Sequence, residues 1–168
     1  MESKKYRVFI DAMGGDYAPA EVVKGAVRAL GLEDIELILT GNQKKIDYSA
    51  REAGLDLSQI QVIEAKTEVS MDQSPSEVIK HYQDSSLYVA ASKASQIKNG
   101  AFLSAGNTGA AMASALFNLK RIPGVLRPAI AVVIPLGNQR MVLLDAGANV
   151  DCKPQYLKQF AIMGKYGI

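Results

Sequence analysis

The sequence predicts an α/β fold: a three-layer arrangement in which a mostly parallel sheet carries helices on both faces. Three observations lead there. Short β-branched and apolar runs alternate with segments of helical periodicity. The connections between them are short. Gly, or Asn followed by Gly, punctuates most segment ends. The 168 residues fit one domain over 1–168, and 48% hydrophobic with 21% charged residues is ordinary globular composition.

Tyr6 to Asp11 (YRVFID) reads as the first strand and runs into Gly14-Gly15. Pro19 suits a first helical turn. Val22, Val23, Ala26, Val27 and Leu30 then recur at helical spacing up to Gly31, a natural stop. Ile35 to Leu39 is the next strand, Asn42 caps a helix through Ala53, and Gly54 closes it. Gln61 to Ala65 is a short strand. Lys66 to Gln83, mixed in Ser, Asp, Gln and Pro75, reads as an irregular loop with one helical turn. Asp84 is the expected cap of a helix whose Leu87, Ala90, Ala91, Ala94 and Ile97 share a face, ended by Asn99-Gly100.

Ala101 to Ala105 is a strand that enters the loop GNTG. Ala110 to Leu119 follows as a helix apolar nearly all round, and burial is expected for it. Ala129 to Ile134 and Met141 to Asp145 flank PLGNQR with hairpin spacing. Pro154 opens a last helix with Leu157, Phe160 and Ala161 expected inward.

Charge and cysteine content narrow the function classes. Nineteen Lys and Arg against 17 Asp and Glu leave a net charge of +2, with no dense basic run, so no nucleic-acid partner is expected. The Lys4-Lys5 and Lys44-Lys45 doublets read as solvated surface. The single cysteine, Cys152, excludes an internal disulfide and a cysteine-based zinc site. No stretch is long and apolar enough to span a bilayer, and the start carries no signal-peptide pattern. The expected setting is cytoplasmic.

In α/β sheets, ligands bind outside the carboxyl ends of the strands. That selects three loops. DAMGGD places Gly14 and Gly15, which allow close backbone approach, between Asp11 and Asp16 as the lining of a cleft. The ordinary alternative for Asp16 is a helix cap. SAGNTGA joins a strand to a helix using small residues only. Backbone N–H groups at that helix start, with Ser104, Asn107 and Thr108 as side-chain donors, can make an anion site; the ordinary alternative is a capped helix, since Asn and Thr favour caps. It is neither a nucleotide P-loop nor a dinucleotide fingerprint. DAGANVDC carries Asp145, Asn149, Asp151 and Cys152. No His or Glu cluster accompanies the acids, so no metal is expected. The one histidine, His81, gives no support to a Cys–His pair.

The stretches IDAMGGDYAPAEVVKGA, SPSEVIKHYQDSS, SAGNTGAAMA, RPAIAVVIP and LLDAGANVDC with LKQFAIMG, in this order, resemble the bacterial phosphate acyltransferase family of phospholipid synthesis. That family is similar in fold to phosphotransacetylases and isocitrate-dehydrogenase-like enzymes. The resemblance implies that inorganic phosphate attacks the thioester of a fatty acyl group on acyl carrier protein, giving acyl phosphate and free carrier. It also implies a homodimer and loose peripheral membrane association. No cofactor is implied.

Phosphate is itself the nucleophile in that reaction, so the protein's part is positioning and charge stabilisation. Ser104, Gly106, Asn107, Thr108 and Gly109 would hold phosphate. Asn107, Asp145 and Asp151 are the catalytic candidates, and Asn149 joins Asp145 and Asp151 in orienting phosphate or a water. Lys80 and Lys153 are candidate compensating cations. The segment after Pro75, Lys80-His81-Tyr82-Gln83, is less basic than the family pattern. Family members are about twice this length, and 1–168 corresponds to their N-terminal half. The chain as given is therefore expected to be an incomplete catalyst whose last helix needs cover. Two alternatives remain: a phosphotransacetylase-like enzyme using acyl-coenzyme A, and a non-catalytic phosphate-binding half-domain.

Overall fold

The computed structural model describes residues 6–32, 34–149 and 151–166. The Lys4-Lys5 doublet and Val150 of the third loop lie outside the described residues. The chain divides into two compact units, 1–119 and 120–168, where the sequence reading treats 1–168 as one domain.

The first unit holds a four-stranded, all-parallel sheet of β1 (Tyr6–Asp11), β2 (Ile35–Gly41), β3 (Gln61–Glu64) and β4 (Gly100–Leu103), in the order β3-β2-β1-β4. Successive side chains on a strand point to opposite faces. Ile10, Leu37 and Leu39 therefore go to one face, where they pack with Val23 and Ala26 of α1 (Ala20–Arg28) and Ile46 and Ala50 of α2 (Gln43–Glu52). Phe9 and Ile38 go to the other, against Ala90 and Ala94 of α4 (Ser86–Ser95). Helices cover both faces, as the alternation predicts.

Local chemistry sets the boundaries. The Asn42 side chain accepts from the Lys45 N–H and starts α2. The irregular segment contains α3 (Pro75–His81), started by a capping box in which Ser74 and Glu77 each satisfy the other's backbone N–H. Four expectations are corrected in this unit. Asp84 does not cap α4. Ser85 does, accepting from the Tyr88 N–H while donating to the Tyr82 carbonyl, and Asp84 accepts instead from the Thr67 hydroxyl. Asp16 is exposed and caps nothing, since Pro19 sits at the N-cap of α1 without a side-chain bond. Gly100 is not a helix stop but the first residue of β4, because α4 has already ended at Ser95.

The fourth correction concerns α5 (Thr108–Asn118). Only Ala110 and Ser114 are buried, while Leu116 and Phe117 stay exposed. Ala110 packs with Val78 of α3 and Leu87 of α4, while Phe117, though exposed, meets the Tyr88 ring of α4.

The second unit holds the antiparallel hairpin of β5 (Ala131–Leu136) and β6 (Gln139–Leu144), joined through Gly137-Asn138, and α6 (Pro154–Tyr166). Phe160 is buried and Gly164 lies against Leu144, which seats α6 on β6. Leu157 and Ala161, expected inward, are exposed, although both border a hollow with Val142 and Leu144.

Two glycines make opposite predictions. A Cβ on Gly25, inside α1, would meet nothing within 4 Å. Gly25→Ala should stabilise the protein by about 0.5–1 kcal/mol, through helix propensity alone. A Cβ on Gly100 would stand 2.2 Å from the Ala94 carbonyl oxygen. Gly100→Ala should cost about 1–3 kcal/mol. Urea unfolding of the two variants against the parent checks both signs.

Candidate anion site at the sheet switch point

The chain runs from β1 outward through β2 to β3, then returns to place β4 on the other side of β1. The strand order therefore reverses between β1 and β4, and the crevice at the carboxyl ends of those two strands is where open α/β sheets bind ligands. The register pairs Ile10 with Leu103, which brings the next residues, Asp11 and Ser104, side by side.

Those two residues hold the first and second loops together. The Ser104 hydroxyl donates to Asp11 Oδ2 at 2.8 Å and accepts from the Gly106 N–H at 3.1 Å. Asp11 is 3% exposed, and its other oxygen accepts from the Met13 N–H. The glycines permit this approach. A Cβ on Gly14 would lie 2.4 Å from Asp11 Oδ2 and 2.9 Å from Ser104 Oγ, and one on Gly106 would lie 3.0 Å from Gly14 Cα. Gly15 takes φ +112° beside the Ala105 backbone. Asp16 stands outside this cluster, exposed.

Asn107 is the N-cap of α5, and its side chain is almost wholly engaged. Oδ1 accepts from the Ala110 N–H, while Nδ2 points at the carbonyls of Ser70, Met71 and Gln73 at 2.9–3.1 Å. It thereby ties the 70–73 loop to the start of α5. Thr108 is exposed, and its hydroxyl has no partner among the described residues. The N–H groups of Asn107, Thr108 and Gly109 likewise meet no protein acceptor among them, as the first turn of a helix leaves them. A Cβ on Gly109 would lie 3.0 Å from Pro75 Cγ, so this glycine also lets α3 and α5 start side by side.

Beside Asp11, Ser104 and Ala105 opens an apolar cavity of about 520 Å³. Val8, Ile10, Val22, Ala26, Leu37 and Leu103 are among its walls.

The third loop, in the second unit, is a closed hydrogen-bond network. Asp145 Oδ1 accepts from the Ile130 N–H, and Oδ2 accepts from both the backbone and side-chain N–H groups of Asn149. Asn149 also donates to the Pro128 carbonyl and accepts from Arg127 Nε. Burial pushes the Asp145 carboxyl up, but the hydrogen bonds from Ile130, Asn149 and Ala148 outweigh it and hold the group below the ordinary carboxylate range. Asp151 is exposed, Cys152 is a half-buried free thiol, and Lys80, His81 and Lys153 are exposed. Sequence reasoning missed Arg127. It stands at the head of RPAIAVVIP and is tied to the third loop, but nothing in its local pattern marks it. No group of three potential metal ligands occurs among the described residues, and no helix there is long and apolar enough to cross a membrane.

A carboxyl held low when folded stabilises the fold above its unfolded pKa, and that contribution disappears as pH falls through the folded value. Asp145→Asn should therefore lower stability at neutral pH and make little difference once pH lies below the folded pKa of Asp145. Urea unfolding at neutral and strongly acidic pH compares the two proteins.

Residues 6–166 match the family model described as fatty acid synthesis protein. The phosphate acyltransferase of Halothermothrix orenii is 48% identical over 160 residues, 95% of this chain and 48% of that protein. The phosphate acyltransferase of Nostoc punctiforme is 43% identical over 166 residues, again covering 48% of its length. The chain thus spans about half the length of the curated relatives it matches. Among solved structures, the EutD phosphotransacetylase from Staphylococcus aureus superposes with a TM-score of 0.70 at 19% identity, over 95% of this chain and 52% of that one. A phosphotransacetylase from Streptococcus pyogenes gives 0.71 at 18% identity, with the same coverages. The fold is therefore that of the phosphotransacetylases, and the chain belongs to the fatty acid synthesis protein family that contains the phosphate acyltransferases.

Proposed function

We propose that this chain carries the phosphate-binding part of an acyltransferase that moves a fatty acyl group from acyl carrier protein to inorganic phosphate. The observation that carries the reading is the junction of DAMGGD with SAGNTGA at the switch point between β1 and β4. There the first-turn N–H groups of α5 stand without protein acceptors among the described residues, and the residues around them are Gly, Ala, Ser, Thr and Asn. A helix start in that condition favours an anion. Family membership supports phosphate as that anion.

In this reading the N–H groups and the Thr108 hydroxyl hold phosphate, with Gly106 and Gly14 keeping the backbone close. Asn107 positions the loop rather than touching the reacting atoms, because its amide is occupied by Ala110 and the 70–73 carbonyls. Asp145 and Asn149 shape the third loop in the same manner. Asp151 is left as the acid of that loop open to a catalytic part. Phosphate attacks the thioester carbon, the carbon–sulfur bond breaks, and the carrier leaves as its thiolate, which takes up a proton. No protein nucleophile takes part, so Cys152 stays unacylated. The apolar cavity beside Asp11 and Ser104 supports a long acyl chain over an acetyl group. The resemblance to the phosphate acyltransferases implies a homodimer in the cytoplasm with peripheral membrane contact, and the reading keeps these expectations.

Steady-state kinetics with palmitoyl-carrier and with acetyl-coenzyme A, each with phosphate, test the proposal. Thr108→Val should raise the phosphate KM about tenfold, the effect of one lost hydrogen bond to a charged group. Cys152→Ser should keep most of the activity. Acetyl-coenzyme A turning over in preference to palmitoyl-carrier would replace the reading with a phosphotransacetylase. Phosphate binding without turnover on either donor would leave a binding unit only.

A further inference from the structure

The direction of one hydrogen bond sets what Ser104 can offer a ligand. A hydroxyl has one proton to give and two lone pairs. The Ser104 proton is given to Asp11 Oδ2, since a carboxylate only accepts. One lone pair takes the Gly106 N–H. What remains is a lone pair, so toward the crevice Ser104 is an acceptor and not a donor. Asp11, 3% exposed and with no cation bonded to it among the described residues, fixes that polarity from behind, while Ser104 itself is partly exposed. In this geometry Ser104 would accept from phosphate, where the sequence leads one to expect a donor.

We propose that Asp11 and Ser104 make the site selective for an oxyanion that still carries a proton. This rests on the reading of the 104–109 loop as the phosphate site and deepens it. At neutral pH inorganic phosphate keeps at least one P–OH, which can donate to Ser104 Oγ. Sulfate has the same size and tetrahedral shape but no proton. Its oxygen would face the Ser104 lone pair, leaving two acceptors without a donor between them. The N–H groups at the start of α5 attract both ions through charge. The Asp11–Ser104 pair decides between them by refusing the one without a proton. Asp11 is thus a specificity residue that acts through Ser104.

Calorimetric titration of the purified protein with inorganic phosphate and, separately, with sodium sulfate tests this. The parent should favour phosphate by about tenfold or more, the worth of one hydrogen bond to a charged group. Ser104→Ala removes the acceptor. Asp11→Asn, equal in size, can donate through its amide to Ser104 and release the hydroxyl proton toward the ligand. Both variants should bring the phosphate-to-sulfate ratio near one, and a thermal melt of each establishes that it is folded. Thr108→Val should weaken both anions and leave the ratio alone. If Ser104→Ala and Asp11→Asn keep the parental ratio while Thr108→Val weakens binding, the selectivity proposal falls and the phosphate loop stands. A parent that binds the two ions equally also overturns the proposal. If Thr108→Val leaves phosphate affinity unchanged, the loop reading falls and takes the proposal with it.

Discussion

The hydrogen bond from Ser104 to Asp11 joins the ends of two strands that are neighbours in the sheet but 93 residues apart in the chain. It fixes the geometry of both loops that follow those strands. Gly14 has no room for a Cβ because Asp11 and Ser104 already occupy that space, and Gly106 has little because Gly14 does. The close approach of the DAMGGD and SAGNTGA backbones thus follows from one buried carboxylate, one hydroxyl and two residues without side chains. A buried carboxylate needs donors. Here they come from Ser104 and the Met13 N–H, so Asp11 organises the loops with no cation bonded to it among the described residues.

The same constraint orders the second layer of the site. With SAGNTGA held against β1, α5 starts at Asn107, whose amide reaches back to three carbonyls of the 70–73 loop. That loop leads into the capping box of α3, and Gly109 lets α3 and α5 begin in contact. Two helix starts and a loop are arranged around one short stretch of small residues. A larger side chain at Gly14, Gly106 or Gly109 would disturb the arrangement at a different point in each case.

Much of this was legible in the sequence, for physical reasons that differ by residue. The strands were readable because period-two burial forces Phe9 and Ile10, or Ile38 and Leu39, to be apolar on both faces of a covered sheet. The Asn42 cap was readable because its partner, Lys45, is three residues away. Asp84 was misassigned because Ser85 is equally good as a cap by local chemistry, and only the tertiary partner Thr67 draws the Asp84 carboxylate away. The burial of α5 was misjudged because composition gives how apolar a helix is, not which side its neighbours cover. At the site, DAMGGD and SAGNTGA stood out as loops, but the polarity of Ser104 did not. That depends on a register between β1 and β4 that no local pattern encodes. Arg127 was missed for the same reason, since its tie to Asn149 spans the β5–β6 hairpin.

A double-mutant cycle measures the coupling between Asp11 and Ser104 directly. Urea unfolding of the parent, Asp11→Ala, Ser104→Ala and the double variant gives the interaction free energy. A coupling of about 1 kcal/mol or more is expected, with the second substitution costing much less once the first is present. Additivity within about 0.5 kcal/mol would mean that the two residues do not depend on each other, and would contradict it.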